Sequence, residues 1–170
     1  LRRWGRTAVE GAGESCVSLE DDPGFNAGTG SVFRTDGSVL LDASIQTSDG
    51  RMGFVIAMED TPNPIRVAAD LLDEGINGLT ALGARKWADE RGFPKGPVEG
   101  RPPHDEVSDT VGVVTSHKHG SIAVRNSTRG TSHQPPPSVG DLPLPGSRFR
   151  ALHVTTRSPG GPVQGDHPVC

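Results

Sequence analysis

The chain has 170 residues and a formal net charge of -4, and 32% of it is hydrophobic. That length predicts one domain, while 23 glycines and 15 prolines beside so few apolar residues limit the core the chain can bury. The acidic balance argues against nonspecific nucleic-acid binding, and no apolar run reaches membrane-spanning length. Cys16 and Cys170 make no disulfide framework and fit a reducing compartment.

In chain order, Ala8, Val9, Ala12, Cys16 and Val17 recur at helical spacing, with Gly11 and Gly13 weakening the helix they predict. Asp21-Asp22 then reads as a solvated helix end. Val32-Phe33-Arg34 and Val39-Leu40-Leu41 flank Asp36-Gly37, a pattern that predicts a hairpin, and residues 53–58 form a third apolar strand. Asn63 is placed to cap a helix with Pro64 at its first position, and Ile65, Ala68, Leu71 and Leu72 give it a buried stripe ending near Gly75. A second helix is predicted over 80–91, with Trp87 on its packed face and Gly92 as its C-cap. Residues 96–109 form a connector. Next comes a hairpin: Val111–Ser116, a turn at Lys118-His119-Gly120, and a return over 121–126. Residues 147–170, which include Ser158-Pro159-Gly160-Gly161-Pro162, read as a disordered tail. Helix, strands, helices and strands in this order predict an α+β layering.

Thr110 opens an apolar strand directly after a polar, Pro-rich connector, in the run Asp109-Thr110-Val111-Gly112. If the bond before it is cut, such a threonine becomes an N-terminal nucleophile, with its own amine as base. Gly112 permits close backbone approach and the valines supply a stiff strand; the blander reading is a capping or edge-strand threonine. The predicted hairpin brings Thr110 and the region beyond Asn126 to one edge. There the Thr128 hydroxyl can hydrogen-bond the nucleophile or its amine. His117-x-His119 flanks a turn and has no third ligand at zinc spacing, and Gly28-x-Gly30 precedes a strand rather than a helix, which excludes a dinucleotide motif.

Three segments carry a family resemblance. Leu19-Glu20-Asp21-Asp22-Pro23-Gly24-Phe25-Asn26-Ala27-Gly28-Thr29-Gly30-Ser31-Val32 is a distinctive loop, followed by Leu41-Asp42-Ala43-Ser44-Ile45. Asn63-Pro64-Ile65-Arg66-Val67-Ala68 is a helix start. The third segment joins Asp109-Thr110-Val111-Gly112 to Ser127-Thr128-Arg129-Gly130 and Val139-Gly140-Asp141. Together, over roughly residues 8–146, these resemble the N-terminal-nucleophile amidohydrolases of the plant-type asparaginase, isoaspartyl peptidase and aspartylglucosaminidase group.

The resemblance implies an αββα sandwich that is incomplete here. The first strand with its His-Gly-Gly-type loop and the C-terminal part with a Thr-Gly-x-Gly oxyanion segment are not found. Residues 1–146 then form a partial domain, with 1–109 like an α-subunit and 110–146 like the start of a β-subunit, and 147–170 is divergent. The implied chemistry is self-cleavage at Asp109-Thr110, after which Thr110 attacks the side-chain amide of L-asparagine or a β-aspartyl peptide, with Thr128 as the supporting hydroxyl. Asp141 takes the position that binds the substrate's α-ammonium. Ser138 stands where the family has an arginine for the α-carboxylate, and Arg129 stands where it has a glycine. In isoaspartyl peptidases the first loop holds a structural sodium through backbone carbonyls, which by position are those of Leu19, Glu20, Asp22, Phe25, Ala27 and Thr29. No other cofactor is expected. A small-molecule amino-acid or β-aspartyl dipeptide substrate, a homodimer of αβ units, a cytoplasmic location, and neither nucleic-acid nor membrane partners complete the expectation. Two other readings stay open. Asp109 before Thr110 and the run His117-Lys118-x-Gly120-x-Ile122-Ala123 are reminiscent of aspartylglucosaminidase, and the missing segments suit an inactive, truncated remnant of the family.

Overall fold

Thr7 opens the first helix, α1 (Ala8–Glu20), with a capping box: its hydroxyl accepts from the Glu10 N–H at 3.2 Å and its own N–H donates to the Glu10 carboxylate at 2.8 Å. The computed structural model describes residues 7–102, 110–117, 120–130, 135, 138–144, 146–147, 150–151 and 156–157. Of the two glycines that weaken α1 by propensity, Gly13 is explained by packing. A Cβ at Gly13 would lie 3.0 Å from the Arg125 guanidinium, so the missing side chain admits Arg125, which donates to the Val9 carbonyl at 2.8 Å.

Strands β1 (Leu41–Thr47) and β2 (Met52–Met58) pair antiparallel, and α2 (Pro64–Asp70), β3 (Gly78–Thr80) and α3 (Ala81–Glu90) follow. The hairpin of β4 (Val111–Ser116) and β5 (Ile122–Thr128) completes a five-stranded mixed sheet of order β3-β2-β1-β5-β4, in which only β3 runs parallel to its neighbour. Helix α1 packs on β4 and β5, α2 on β1 and β2, and the two helices touch, so they form one layer over one face of the sheet. Between them lie Cys16, Ala43, Ile45, Val55, Ile65, Ala68 and Val111, all buried. Burial of this kind stabilises by about 1.5–3 kcal/mol for each large aliphatic side chain. A mixed sheet with helices on one face is consistent with part of an αββα sandwich.

The opposite face is polar and still buried toward the ends of β1 and β5, beside the apolar side chains of Phe54, Ile56 and Val124. Asp42, Ser44, Asn126 and Thr128 alternate with the core residues along β1 and β5, and each is at most 2% exposed. Part of it is covered by later segments: Ser44 donates to the Leu142 carbonyl at 3.3 Å, and the Ala151 N–H donates to the Gln46 side chain at 3.1 Å.

Four expectations change. The turn at Asp36-Gly37 forms, with Gly37 at φ +82° and the Arg34 N–H bonded to the Ser38 carbonyl, yet no strand pair flanks it. Ser31 and Phe33 instead exchange backbone bonds with Arg101 at 2.8 and 2.9 Å, which takes up the edge the hairpin needs, and the first strand starts at Leu41. Asn63 occupies the N-cap of α2 without capping it, because its amide donates to Asp21 at 2.9 Å. The Glu20 carboxylate, from the end of α1, accepts the Ile65 N–H at 3.2 Å in its place. Strand β3 is unforeseen, being three residues with a single large apolar side chain. Finally, within the segment predicted to be a disordered tail, β6 (Arg150–Ala151) and β7 (Thr156–Arg157) pair antiparallel, and Ala151 is buried against Val124.

Candidate active site

Strand register sets the site. Val111 lies opposite Ser127 across β4 and β5, so one residue further Thr110 lies opposite Thr128, while Asp42 of β1 pairs with Thr128 on its other side. Three polar residues therefore stand in a row at the strand ends, on the polar face. The Thr110 hydroxyl donates to the Thr128 hydroxyl oxygen at 3.1 Å, and the same oxygen accepts the Gly130 N–H at 3.1 Å. That backbone bond fixes the Thr128 side chain, and through it one direction of the Thr110 hydroxyl. The Asp109-Thr110 bond itself lies partly outside the described residues, because Asp109 is not among them.

Asn26 ties the first loop to this row. Its amide donates to the Gly130 carbonyl at 2.8 Å, its side-chain carbonyl oxygen accepts the Val32 N–H at 3.1 Å, and its backbone carbonyl accepts the Arg129 N–H at 3.2 Å. Fully buried, it is a pin between two segments a hundred residues apart in sequence. Asp42 is also buried. Its Oδ1 accepts the Ala57 N–H at 2.8 Å, where Ala57 has φ +53° beside an irregularity in the β1–β2 register, and its Oδ2 has no partner among the described residues. Burial raises the Asp42 carboxyl to about 6, opposed by the Ala57 N–H and the Arg34 charge.

Arg34 is 3% exposed and reaches the segment that follows the hairpin. Its Nη1 donates to the Ser138 hydroxyl at 3.1 Å, the Ser138 carbonyl at 3.2 Å and the Pro135 carbonyl at 3.4 Å. Ser138, which stands at the family's arginine position, is thus held by an arginine from elsewhere in the chain. Arg129 is fully buried, and desolvation, with the neighbouring Arg34 charge, lowers it to about 10. Asp141 is exposed, on a turn closed by the Leu144 N–H bonding its carbonyl at 3.2 Å; the Leu142 beside it is buried under Ser44. The structure thus brings Thr110 to Thr128 and Ser138 to Arg34, and leaves Asp141 at the surface between two anchored residues.

The first loop is tight enough that only glycine fits at two positions. A Cβ at Gly28, where φ is +51°, would stand 2.4 Å from the Glu20 carbonyl oxygen, and one at Gly30 would stand 1.9 Å from that of Phe25. The Asp22 and Ala27 carbonyls accept the Phe25 and Gly30 N–H groups at 3.3 and 3.2 Å, with a second lone pair remaining on each. Backbone carbonyls with no thiolate or imidazole beside them are the donor chemistry of a hard cation, which fits sodium. Leu19 and Thr29 complete the positions the resemblance implies. Among the described residues no three His, Cys, Asp or Glu side chains group as metal ligands; His117 lies at the β4–β5 turn and His119 is outside the described residues.

Asn26, Arg34 and Asp42 carry no role in the sequence reading. Asp42 had a signal: a charge inside the apolar run Val39-Leu40-Leu41-Asp42-Ala43-Ser44-Ile45 requires buried partners. Arg34 had none, since its contacts lie 101 and 104 residues away.

Comparison with known proteins identifies relatives along most of the chain. A family model described as Asparaginase matches residues 2–102. The chain is 34% identical over 169 residues to an isoaspartyl peptidase/L-asparaginase of Macaca fascicularis, covering 86% of this chain and 55% of that protein. It is 33% identical over 168 residues to a plant-type L-asparaginase of Pyrobaculum calidifontis, covering 85% and 56%, and 32% identical over 174 residues to an isoaspartyl peptidase/L-asparaginase of Nostoc sp., covering 85% and 55%. The chain spans about half the length of these curated relatives. With more than half of its residues matched by the family model, the chain belongs to the Asparaginase family.

Proposed function

We propose that this chain is the part of an amidohydrolase that carries the nucleophile, Thr110, and that the enzyme cleaves the side-chain amide of L-asparagine or the β-aspartyl bond of isoaspartyl peptides. The observation that carries the reading is the 3.1 Å bond between the Thr110 and Thr128 hydroxyls at the head of β4, in a chain of this family. The Thr110 hydroxyl attacks the Asp109 carbonyl carbon, the C–N bond breaks as the acyl group passes from nitrogen to oxygen, and water hydrolyses the ester. Asp109 leaves as a carboxylate and Thr110 gains a free α-amine. That amine, with an ordinary pKa of about 7.7–8.0, takes the hydroxyl proton when Thr110 attacks substrate. The amide nitrogen departs as ammonia or as the peptide's amine, and water resolves the aspartyl ester. Asp141 is the proposed partner of the substrate's α-ammonium, a charge-assisted contact.

Denaturing mass spectrometry with an ammonia-release assay tests this. The expected result is a fragment beginning at Thr110 and turnover of L-asparagine or a β-aspartyl dipeptide, both lost in Thr110→Ala. A single uncut species with no turnover overturns the reading, and cleavage of glycosylasparagine alone would assign the enzyme to the aspartylglucosaminidases. We also propose that the 19–29 loop holds a structural sodium through its carbonyls. Replacing sodium by choline in the buffer should then lower the melting temperature by a few degrees, and an unchanged value removes the ion.

A further inference from the structure

Between α1 and α2 lies a cavity of about 440 Å³, within the range of about 300–1,000 Å³ usual for small-molecule sites. Arg125, from β5, lines it together with Gly13, whose missing side chain gives the guanidinium its place. Arg125 is 4% exposed, and its one hydrogen bond among the described residues runs from Nη2 to the Val9 carbonyl at 2.8 Å, with Nε left without a partner. The groups nearest in charge do not neutralise it. Arg66 repels it, and burial keeps the Cys16 thiol and the Glu20 carboxyl protonated at neutral pH. A buried cation in this state is costly unless something else answers it. Arg66, on the α2 side of the cavity, is exposed and forms no salt bridge among the described residues.

The same cavity carries carboxylates, from Glu10 and Glu14 on α1 and Asp70 on α2. Glu10 keeps Oε1 after its capping bond through Oε2, and Asp70 receives both Trp87 Nε1 and Arg91 on one oxygen, Oδ2. Neither pairs with Arg66 or Arg125 among the described residues. A plain anion would meet the guanidiniums and also these carboxylates, and a plain cation would meet the reverse. A ligand with both charges answers both sets. Val17, Ala69 and Phe93 add apolar wall between them. We infer that this cavity binds a small zwitterion with an apolar body, the chemistry of a free α-amino acid with an aliphatic or aromatic side chain. Its carboxylate lies on Arg125 and Arg66, its ammonium on Glu10 and Asp70. Arg125 and Thr128 are three positions apart on β5 and so on opposite faces, which puts the sheet between this cavity and the Thr110–Thr128 pair. Such a ligand has no side-chain amide to cleave, and the inference does not depend on the amidohydrolase reading.

Calorimetry with three probes of one shape tests this: L-leucine, L-leucinamide, which lacks the carboxylate, and 4-methylpentanoate, which lacks the ammonium. At about pH 6.5, where an α-amine is protonated, the unmodified protein should bind L-leucine about 10-fold or more tightly than either analogue, the loss expected for one charge-assisted contact. Arg125→Gln should abolish the preference over leucinamide and Arg66→Gln should reduce it. Glu10→Gln, which keeps the helix cap, should reduce the preference over 4-methylpentanoate instead. Should Arg125→Gln fail to fold, the exposed Arg66 and Glu10 variants decide. Absence of L-leucine binding overturns the inference, and so does equal binding of the three probes. Preferences unchanged in every variant would put the ligand elsewhere and overturn it too. If 4-methylpentanoate binds as tightly as L-leucine and depends on Arg125, the cavity takes a simple anion and the zwitterion is wrong.

Discussion

Thr128 holds its hydroxyl between a fixed backbone donor and the nucleophile, so the two bonds can be separated by substitution. Thr128→Val keeps the branched shape and removes the oxygen. Loss of a positioned polar group beside a reacting atom costs roughly 100-fold in kcat, and the Gly130 N–H stranded by the change costs about 1–3 kcal/mol of stability. Thr128→Ser should restore most of both. Steady-state kinetics with urea unfolding would check this, and a valine variant with unchanged kcat would leave Thr128 as a structural residue. The sequence shows this pair because alternation along two short strands fixes which side chains share a face and which residues meet at the ends. It cannot show Arg34 beside Ser138 or Glu20 beneath Ile65, since those meetings depend on how the separate elements pack.

Between elements, the capping of α2 by Glu20 has a pH signature. Burial raises this carboxyl from 4.5 to about 8, against the opposing polar groups of Ser127, Ile65 and Asn63. Below the unfolded value it is protonated in both states. As pH rises, the unfolded chain releases a proton that the native chain keeps until about pH 8, so stability falls through this window and then levels off. Asp42 contributes in the same direction from 3.8 to about 6, so that among the described residues the resolved shift spanning about 6 to 8 is that of Glu20. Glu20→Gln preserves the acceptor for the Ile65 N–H and removes the titration. Melting temperatures measured from pH 5 to 9 should therefore decline between pH 6 and 8 in the unmodified protein and stay flat there in the variant; parallel curves would show that Glu20 is not the source. Asn63 misleads at this scale for a physical reason. An N-cap position in sequence shows only that a side-chain oxygen is near the helix start, and here the neighbouring Asp21 engages the Asn63 amide while a longer carboxylate occupies the capping role.

Across the whole molecule, the division of roles follows the two faces of one sheet. The apolar face, under α1 and α2, was legible from periodicity because burial there is a matter of residue type repeated at fixed spacing. The polar face holds the site and was legible only at its edge. Asn126 is fully buried there, and among the described residues neither end of its amide has a hydrogen-bond partner, a state that alternation along the strand does not reveal. The order β3-β2-β1-β5-β4 also places every strand before Thr110 on one side and every strand after it on the other, apart from the short β6–β7 pair. The β1–β5 ladder, six register pairs long, is the seam between them, bridged by α1 and by Asn26. Scission before Thr110 would therefore turn one covalent fold into a complex of two chains. From then on its integrity would depend on dilution, and a protein that folds once as a single polymer would, after being taken apart, have to find its other half.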